Sequence, residues 1–167
     1  NTISWYLKKI KNEDNIYKGS SSFWEKFSKR NDLSLNSLMN LEVEESVSKE
    51  KFEFEKKKLE SIIDYDKNAH LLDLGGGIGL WSEYFARHFN HVTLVEREAK
   101  FVKIAQKRLA NKNIEIIKSD VIDYESENQK YDIVFISGVT IYLNDQNFLT
   151  LLSNLKKYLK INGLLVH

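Results

Sequence analysis

The run Leu71-Leu72-Asp73-Leu74-Gly75-Gly76-Gly77-Ile78-Gly79-Leu80 decides the fold of this 167-residue chain. Ala69 to Leu74, with Asp73 inside it, reads as a short buried strand. Four glycines within five positions follow, and Leu80, Trp81, Tyr84, Phe85 and His88 then recur at helical spacing. Strand, glycine turn and helix N-terminus is the arrangement by which an α/β sheet holds a nucleotide-like ligand, because glycine lets the backbone approach the ligand closely.

Working outward, the same alternation repeats. His91 to Val95 is expected to be a second strand ending at Glu96, and Ala99 to Ala110 a helix with Phe101, Val102, Ala105 and Leu109 inward. Ile114 to Ile117 is a third strand that runs into Ser119-Asp120. Tyr131 to Ile136 is a fourth, almost wholly apolar as a strand covered on both faces should be. Gln146 to Leu159 reads as a helix with Phe148, Leu152, Leu155 and Leu159 in line. Asn162-Gly163 closes it, and Leu164-Leu165-Val166 begins a fifth strand. Strand and helix alternate, so the sheet is expected to be parallel with right-handed crossovers.

Before the glycines, about Ser48 to Tyr65 predicts an amphipathic helix burying Phe52, Leu59, Ile62 and Ile63, with Lys56-Lys57-Lys58 as a solvated face. Asp64 to Asn68 is a polar turn. Residues 1 to 45 lack a clear period but carry Trp5, Tyr6, Tyr17, Phe23, Trp24 and Phe27. Ser22 with Glu25 three residues on reads as a capping box. This segment is either an aromatic anchor or a lid over the ligand, followed by one Rossmann-like domain over residues 46–167. No internal repeat or second linker is evident.

Composition narrows the function. Lys and Arg total 25 against 24 acidic residues, so no bulk attraction toward nucleic acid or membrane is implied. No apolar run is long enough to span a bilayer. Cysteine is absent, which excludes disulfides, thiolate zinc sites and a cysteine nucleophile and fits a cytoplasmic location. The chain begins at Asn1 and stops at His167 inside what reads as a strand, so a longer parent protein is expected.

Two ligand classes compete for the glycine turn. A dinucleotide fingerprint needs G-x-G-x-x-G and an acidic residue about twenty positions on. Gly75 and Gly77 match, but Leu80 stands in place of the third glycine; Glu96 suits either class. Asp73 at the strand end would repel a pyrophosphate and welcome an ammonium. Asp120 and Ser137-Gly138 end two further strands on the same edge, where open α/β sheets bind ligands. Three carboxylates around one crevice suit a cationic ligand with hydroxyls.

On these residues the chain resembles the class I S-adenosylmethionine-dependent methyltransferases over about residues 50 to 167. Leu72 to Gly79 looks like their first motif, and Asp132 to Phe135 with Ser137-Gly138-Val139 like their fourth strand and the segment after it. Lys160 to Leu164 looks like their turn into the fifth strand. The resemblance implies a Rossmann-like parallel sheet with helices on both faces and an N-terminal helical cap. The family's last two strands are missing from the sequence. It implies S-adenosylmethionine as cofactor and S-adenosylhomocysteine as product, held by Asp73, Gly75, Gly76, Gly77, Gly79, Glu96, Arg97, Asp120, Val121 and Ser137. Glu96 would take the ribose, and Asp120-Val121 the adenine.

The acceptor is less constrained. The Asn/Asp-Pro-Pro-aromatic motif used on planar amino groups is absent, and no acidic pair follows the fourth strand to hold a metal with a catechol. A metal-independent transfer to O or N of a small molecule is the leading expectation, with neither nucleic acid nor membrane as partner. The stretch Tyr142 to Gln146 also resembles protein N-terminal methyltransferases, so a protein or peptide amine is an alternative, and a non-catalytic cofactor-binding module is another. The sequence assigns no catalytic base; Tyr142, which either lines the acceptor pocket or merely packs, and His167 are the candidates, with Tyr6 and Tyr17 lesser ones in the lid. His70, His88 and His91 fall at the remote edge or late in a helix and read as structural.

Overall fold

The computed structural model describes residues 19, 22–29, 45–126 and 130–167. Helices α1 (residues 22–28) and α2 (Glu45–Glu60) precede strand β1 (His70–Leu74). Then come α3 (Leu80–Phe85), β2 (His91–Glu96), α4 (Ala99–Arg108), β3 (Ile114–Lys118) and β4 (Tyr131–Phe135). A 3-10 turn (Thr140–Tyr142), α5 (Asp145–Tyr158) and β5 (Leu159–Val166) complete the chain.

All strands run parallel in the order β3-β2-β1-β4-β5. The chain builds the sheet outward from β1 to β3 and then returns to set β4 on the other side of β1. That reversal opens a gap between the turns leaving β1 and β4, and ligands of open parallel sheets bind there.

Alternation along β1 explains the two faces. Leu71 points into a cluster with Leu59, Ile63, Trp81, Phe85 and Phe135, beneath α2 and α3. Leu72 and Leu74 point the other way, against Tyr131, Val134, Leu151, Leu155 and Tyr158, beneath α5. On β2, Leu94 meets Ala105 and Leu109 of α4. Burying one leucine side chain contributes about 1.5–3 kcal/mol, and Leu71, Leu72 and Leu74 are all fully buried. The strand carrying Asp73 is therefore held rigidly from both sides.

Several expectations need correction at the level of single faces. Helix α2 ends at Glu60, and the chain turns with Ser61 Oγ donating to the Lys58 carbonyl oxygen at 2.7 Å. Ile62 is consequently left 58% exposed while Ile63 is buried. Lys56 is not a solvated residue: its ammonium lies 4.3 Å from the Phe52 ring centroid and 2.6 Å from Glu53. In α5 the buried line is Leu151, Leu155 and Tyr158; Phe148 sits at the exposed margin and Leu159 already belongs to β5. Ser22 is itself helical and Glu25 pairs with Lys29 at 2.7 Å, so the capping box is not formed by these two residues. Trp5, Tyr6 and Tyr17 lie outside the described residues.

Strand β5 also begins earlier than expected. Leu159 pairs with Tyr131, the register then breaks, and Leu164 to Val166 pair with Ile133 to Phe135. The excursion is made by Lys160 to Gly163, with Asn162 at φ 65°, a left-handed conformation that Asn tolerates better than most residues.

Candidate active site

A crevice of about 510 Å³ lies at the carboxyl ends of β1, β2, β3 and β4, a volume typical of small-molecule sites. The glycine turn forms its floor. Gly75, Gly77 and Gly79 all have positive φ. At Gly79 (φ 83°) an added Cβ would also lie 2.6 Å from Leu109, so neither the dihedral nor the space admits a side chain. At Gly76 the obstacle is Asp73 itself, whose Oδ2 would be 2.8 Å from such a Cβ.

The amides of this turn are used internally. Gly75 and Gly76 N–H donate to the Val95 carbonyl oxygen at 2.8 and 3.2 Å, and Gly79 N–H donates to Gly76 O at 2.9 Å. Gly77 N–H donates to Glu96 Oε2 at 3.0 Å. A pyrophosphate cradle needs such amides turned to the ligand. These four are not, and the dinucleotide reading loses its physical basis along with the missing third glycine.

Three acidic residues meet at this floor from three strands. Asp73 is 2% exposed and accepts from Ser82 Oγ at 2.6 Å. Burial pushes its carboxyl up to about 7; the Ser82 hydroxyl and amide oppose that shift, and the Glu96 charge adds to it. No cation is paired with it among the described residues. Glu96, 7% exposed, accepts from Glu98 N–H at 2.7 Å through Oε1, besides Gly77 through Oε2. Burial raises its pKa, the two amides working against the rise. A carboxylate has about four acceptor positions, so two remain for a ligand's hydroxyls. Asp120, after β3, accepts from Ile122 N–H and pairs with Arg97 at 3.3 Å. Arg97 also meets Glu98 at 3.2 Å.

The expected cofactor residues Asp73, Gly75, Gly76, Gly77, Glu96, Arg97, Asp120, Val121 and Ser137 therefore all line one crevice. Gly79 stands behind it, holding the turn against Leu94 and Leu109. Tyr142 lines the crevice as well. His167 does not; it is exposed beyond β5. His70 and His91 stack at 4.3 Å at the amino ends of β1 and β2, the opposite edge.

Of the further side chains lining the crevice, one belongs to the aromatic segment read as an anchor or lid, and two escaped the sequence reading. Trp24 of α1 lines it and packs edge-on against Tyr142 at 5.4 Å and Phe101 at 6.3 Å. Lys51 and Glu55 of α2 line it too, 3.9 Å apart. In sequence they are two more charges on an amphipathic helix, and no local signal marks them; only the packing of α2 through Phe52 onto Trp81 at 4.5 Å brings them there. Among the described residues no three His, Cys, Asp or Glu side chains are grouped as a metal site requires, and no helix is long and apolar enough to cross a membrane.

Fold and crevice together define a Rossmann-like methyltransferase. A family model described as AdoMet (S-adenosylmethionine)-dependent proline di-methyltransferase matches residues 12–167, and the chain belongs to this enzyme family. Among curated relatives, the alpha N-terminal protein methyltransferase 1 of Arabidopsis thaliana is 31% identical over 108 residues, covering 59% of this chain and 39% of the relative. A ribosomal RNA small subunit methyltransferase A of Mesoplasma florum is 30% identical over 99 residues, covering 53% and 36%. Among solved structures, the Haemonchus contortus phosphoethanolamine N-methyltransferase 1 in complex with phosphoethanolamine and S-adenosylhomocysteine superimposes with a TM-score of 0.77. It is 22% identical, covers 92% of this chain and 32% of that one, and supports the fold. The chain spans well under half the length of each.

Proposed function

We propose that this protein transfers a methyl group from S-adenosylmethionine to an amine nitrogen, and that the amine is the α-amino group of a peptide or protein. The observation that carries the acceptor class is the match of residues 12–167 to a family model described as a proline di-methyltransferase, and the crevice agrees in charge: Glu55, Asp73, Glu96, Glu98 and Asp120 line it against Lys51 and Arg97 alone among the described residues. An excess of negative charge in a concave site draws in cations and opposes phosphorylated acceptors, nucleic acid included.

The residues present fit the cofactor. Glu96 has acceptor positions for ribose hydroxyls, Asp120 and Val121 stand where an adenine edge needs an acceptor and an apolar contact, and Asp73 is a buried carboxylate awaiting a cation. Bound S-adenosylmethionine supplies an already activated methyl group on a sulfonium sulfur. The chain then has to align the acceptor and exclude water, which is the part played by Trp24, Phe101 and Tyr142 as walls. It need not supply a strong base. An α-amino group titrates near pH 7.7–8.0, so roughly a tenth or more of it is neutral and nucleophilic at pH 7. No metal is required by this scheme, and the absence of cysteine agrees with a cytoplasmic setting.

A small-molecule amine is the second reading, favoured by the likeness to a phosphoethanolamine methyltransferase over 92% of the chain. The two separate in one assay. The protein is incubated with methyl-labelled S-adenosylmethionine and either peptides with a free N-terminus, the same peptides acetylated, ethanolamine or phosphoethanolamine. Mass spectrometry should show one or two added methyl groups on the free peptides and none on the acetylated ones. Labelling confined to the small amines would overturn the peptide reading, and failure to bind S-adenosylhomocysteine would overturn both.

A further inference from the structure

The amino-acid end of the cofactor carries a carboxylate as well as an ammonium, and a crevice so rich in acids must find that anion a partner. The glycine amides of the turn do not offer one, because all four are bonded, to Val95, Gly76 and Glu96. Of the two cations lining the crevice, Arg97 is already held by Glu98 and Asp120. Among the described residues Lys51 pairs only with Glu55, at 3.9 Å, a distance at which an ion pair contributes little. On the same face of α2, one turn earlier, Ser48 is buried with its hydroxyl unpartnered. That face thus holds a weakly paired cation, which lines the same crevice as Asp73 of β1 and Glu96 of β2, and beside it in the helix a buried unpaired hydroxyl.

From this placement we infer that Lys51 of α2 is the anchor for the cofactor's carboxylate. The inference rests on the cofactor proposed above. It makes α2 part of the binding machinery and makes Lys51 a specificity-determining residue: ligands with an amino-acid tail gain from it and tailless adenosyl ligands do not. Ion pairing with Lys51 and the Asp73 contact at the ammonium would then grip the two charges of one zwitterion separately.

Calorimetric titration of the protein with S-adenosylhomocysteine and with methylthioadenosine, which keeps the adenosyl thioether and lacks the tail, tests this. Lys51→Ala should weaken S-adenosylhomocysteine at least about tenfold, as loss of a charged hydrogen bond does, and leave methylthioadenosine unchanged. Lys51→Arg should restore most of the loss. Equal weakening of both ligands, or no weakening of either, would overturn the role of Lys51, as would a tail-selective loss in Arg97→Ala with none in Lys51→Ala. Failure of the unaltered protein to bind either ligand would instead overturn the cofactor assignment itself. Because the Lys51 side chain is half exposed, the variants are expected to fold, and their melting curves check it.

Discussion

Asp73 and Asp132 lie on neighbouring strands of one sheet and live in opposite circumstances. Asp132 opens β4 at the amino-terminal edge, accepts from His70 N–H at 2.8 Å and pairs with Lys160 at 2.9 Å. Asp73 nears the end of β1 at the other edge, buried, with one serine as its partner. At the first edge the carboxylate is satisfied within the protein, by a backbone amide and an ammonium. At the second edge the protein keeps a charge in want of a counter-ion, which costs stability in the empty protein and becomes favourable when a cation arrives. The contrast sets a carboxylate satisfied by its neighbours beside a buried one with no cation among the described residues, which is the physical basis for proposing the second as a cofactor contact.

The sharpest way to break that contrast is to neutralise each aspartate in turn. Asp73→Asn should cost about 3 kcal/mol of cofactor binding, the upper range for a charged hydrogen bond, roughly a hundredfold in affinity by calorimetry. Glu96→Ala should cost about 2 kcal/mol through the lost ribose contacts. It should also lower the melting temperature, because Gly77 and Glu98 N–H lose their acceptor. Unchanged affinity in either variant would mean the acids do not face the cofactor.

Proton linkage sharpens the same comparison. The Asp73 carboxyl stands at about 7 in the folded chain against an ordinary 3.8, so the folded state holds the extra proton between those values. Its contribution to stability is therefore complete below the ordinary value and is lost as pH rises through about 7. The ligand-free protein should melt lower as pH climbs through this window, with a weaker trend in Asp73→Asn. Cofactor affinity should run the other way, rising through about pH 7 and levelling above it, since a cationic ligand selects the ionised carboxylate. A flat affinity profile would contradict the assignment.

Two smaller effects complete the test. Trp24→Ala should speed cofactor dissociation a few-fold in stopped-flow measurements, removing two edge-on ring contacts worth about 0.5–1.5 kcal/mol each. Lys160→Ala should change stability by less than about 1 kcal/mol and leave cofactor affinity untouched, as expected of a half-exposed pair.

The sheet was legible in the sequence because its signals are local. Apolar strands such as Tyr131 to Phe135, a glycine bend and helices of period 3.6 fix the order of elements, and parallel topology then gathers Asp73, Glu96 and Asp120 at one edge. Readings failed where a face, not an element, had to be chosen. Phe148 and Leu151 both suit an amphipathic α5, and only the angle at which α5 lies on β4 buries the second. Ile62 follows a helix that stops at Glu60, about five residues earlier than its pattern suggests. Lys51 and Glu55 were invisible for a deeper reason: their place at the crevice depends on how α2 docks, through contacts far apart in the chain. Trp24 was legible as a lid candidate only because an aromatic cluster in a polar segment demands a surface to cover.

The internal wiring of the glycine bend also limits what this scaffold can become. Restoring a third glycine at Leu80 would complete a dinucleotide signature on paper, yet the hydrogens a diphosphate must find would still be committed to Val95, Gly76 and Glu96. Converting the cofactor preference would require rerouting the main chain, so ligand class is written here in the backbone and is closed to exchange of a single side chain.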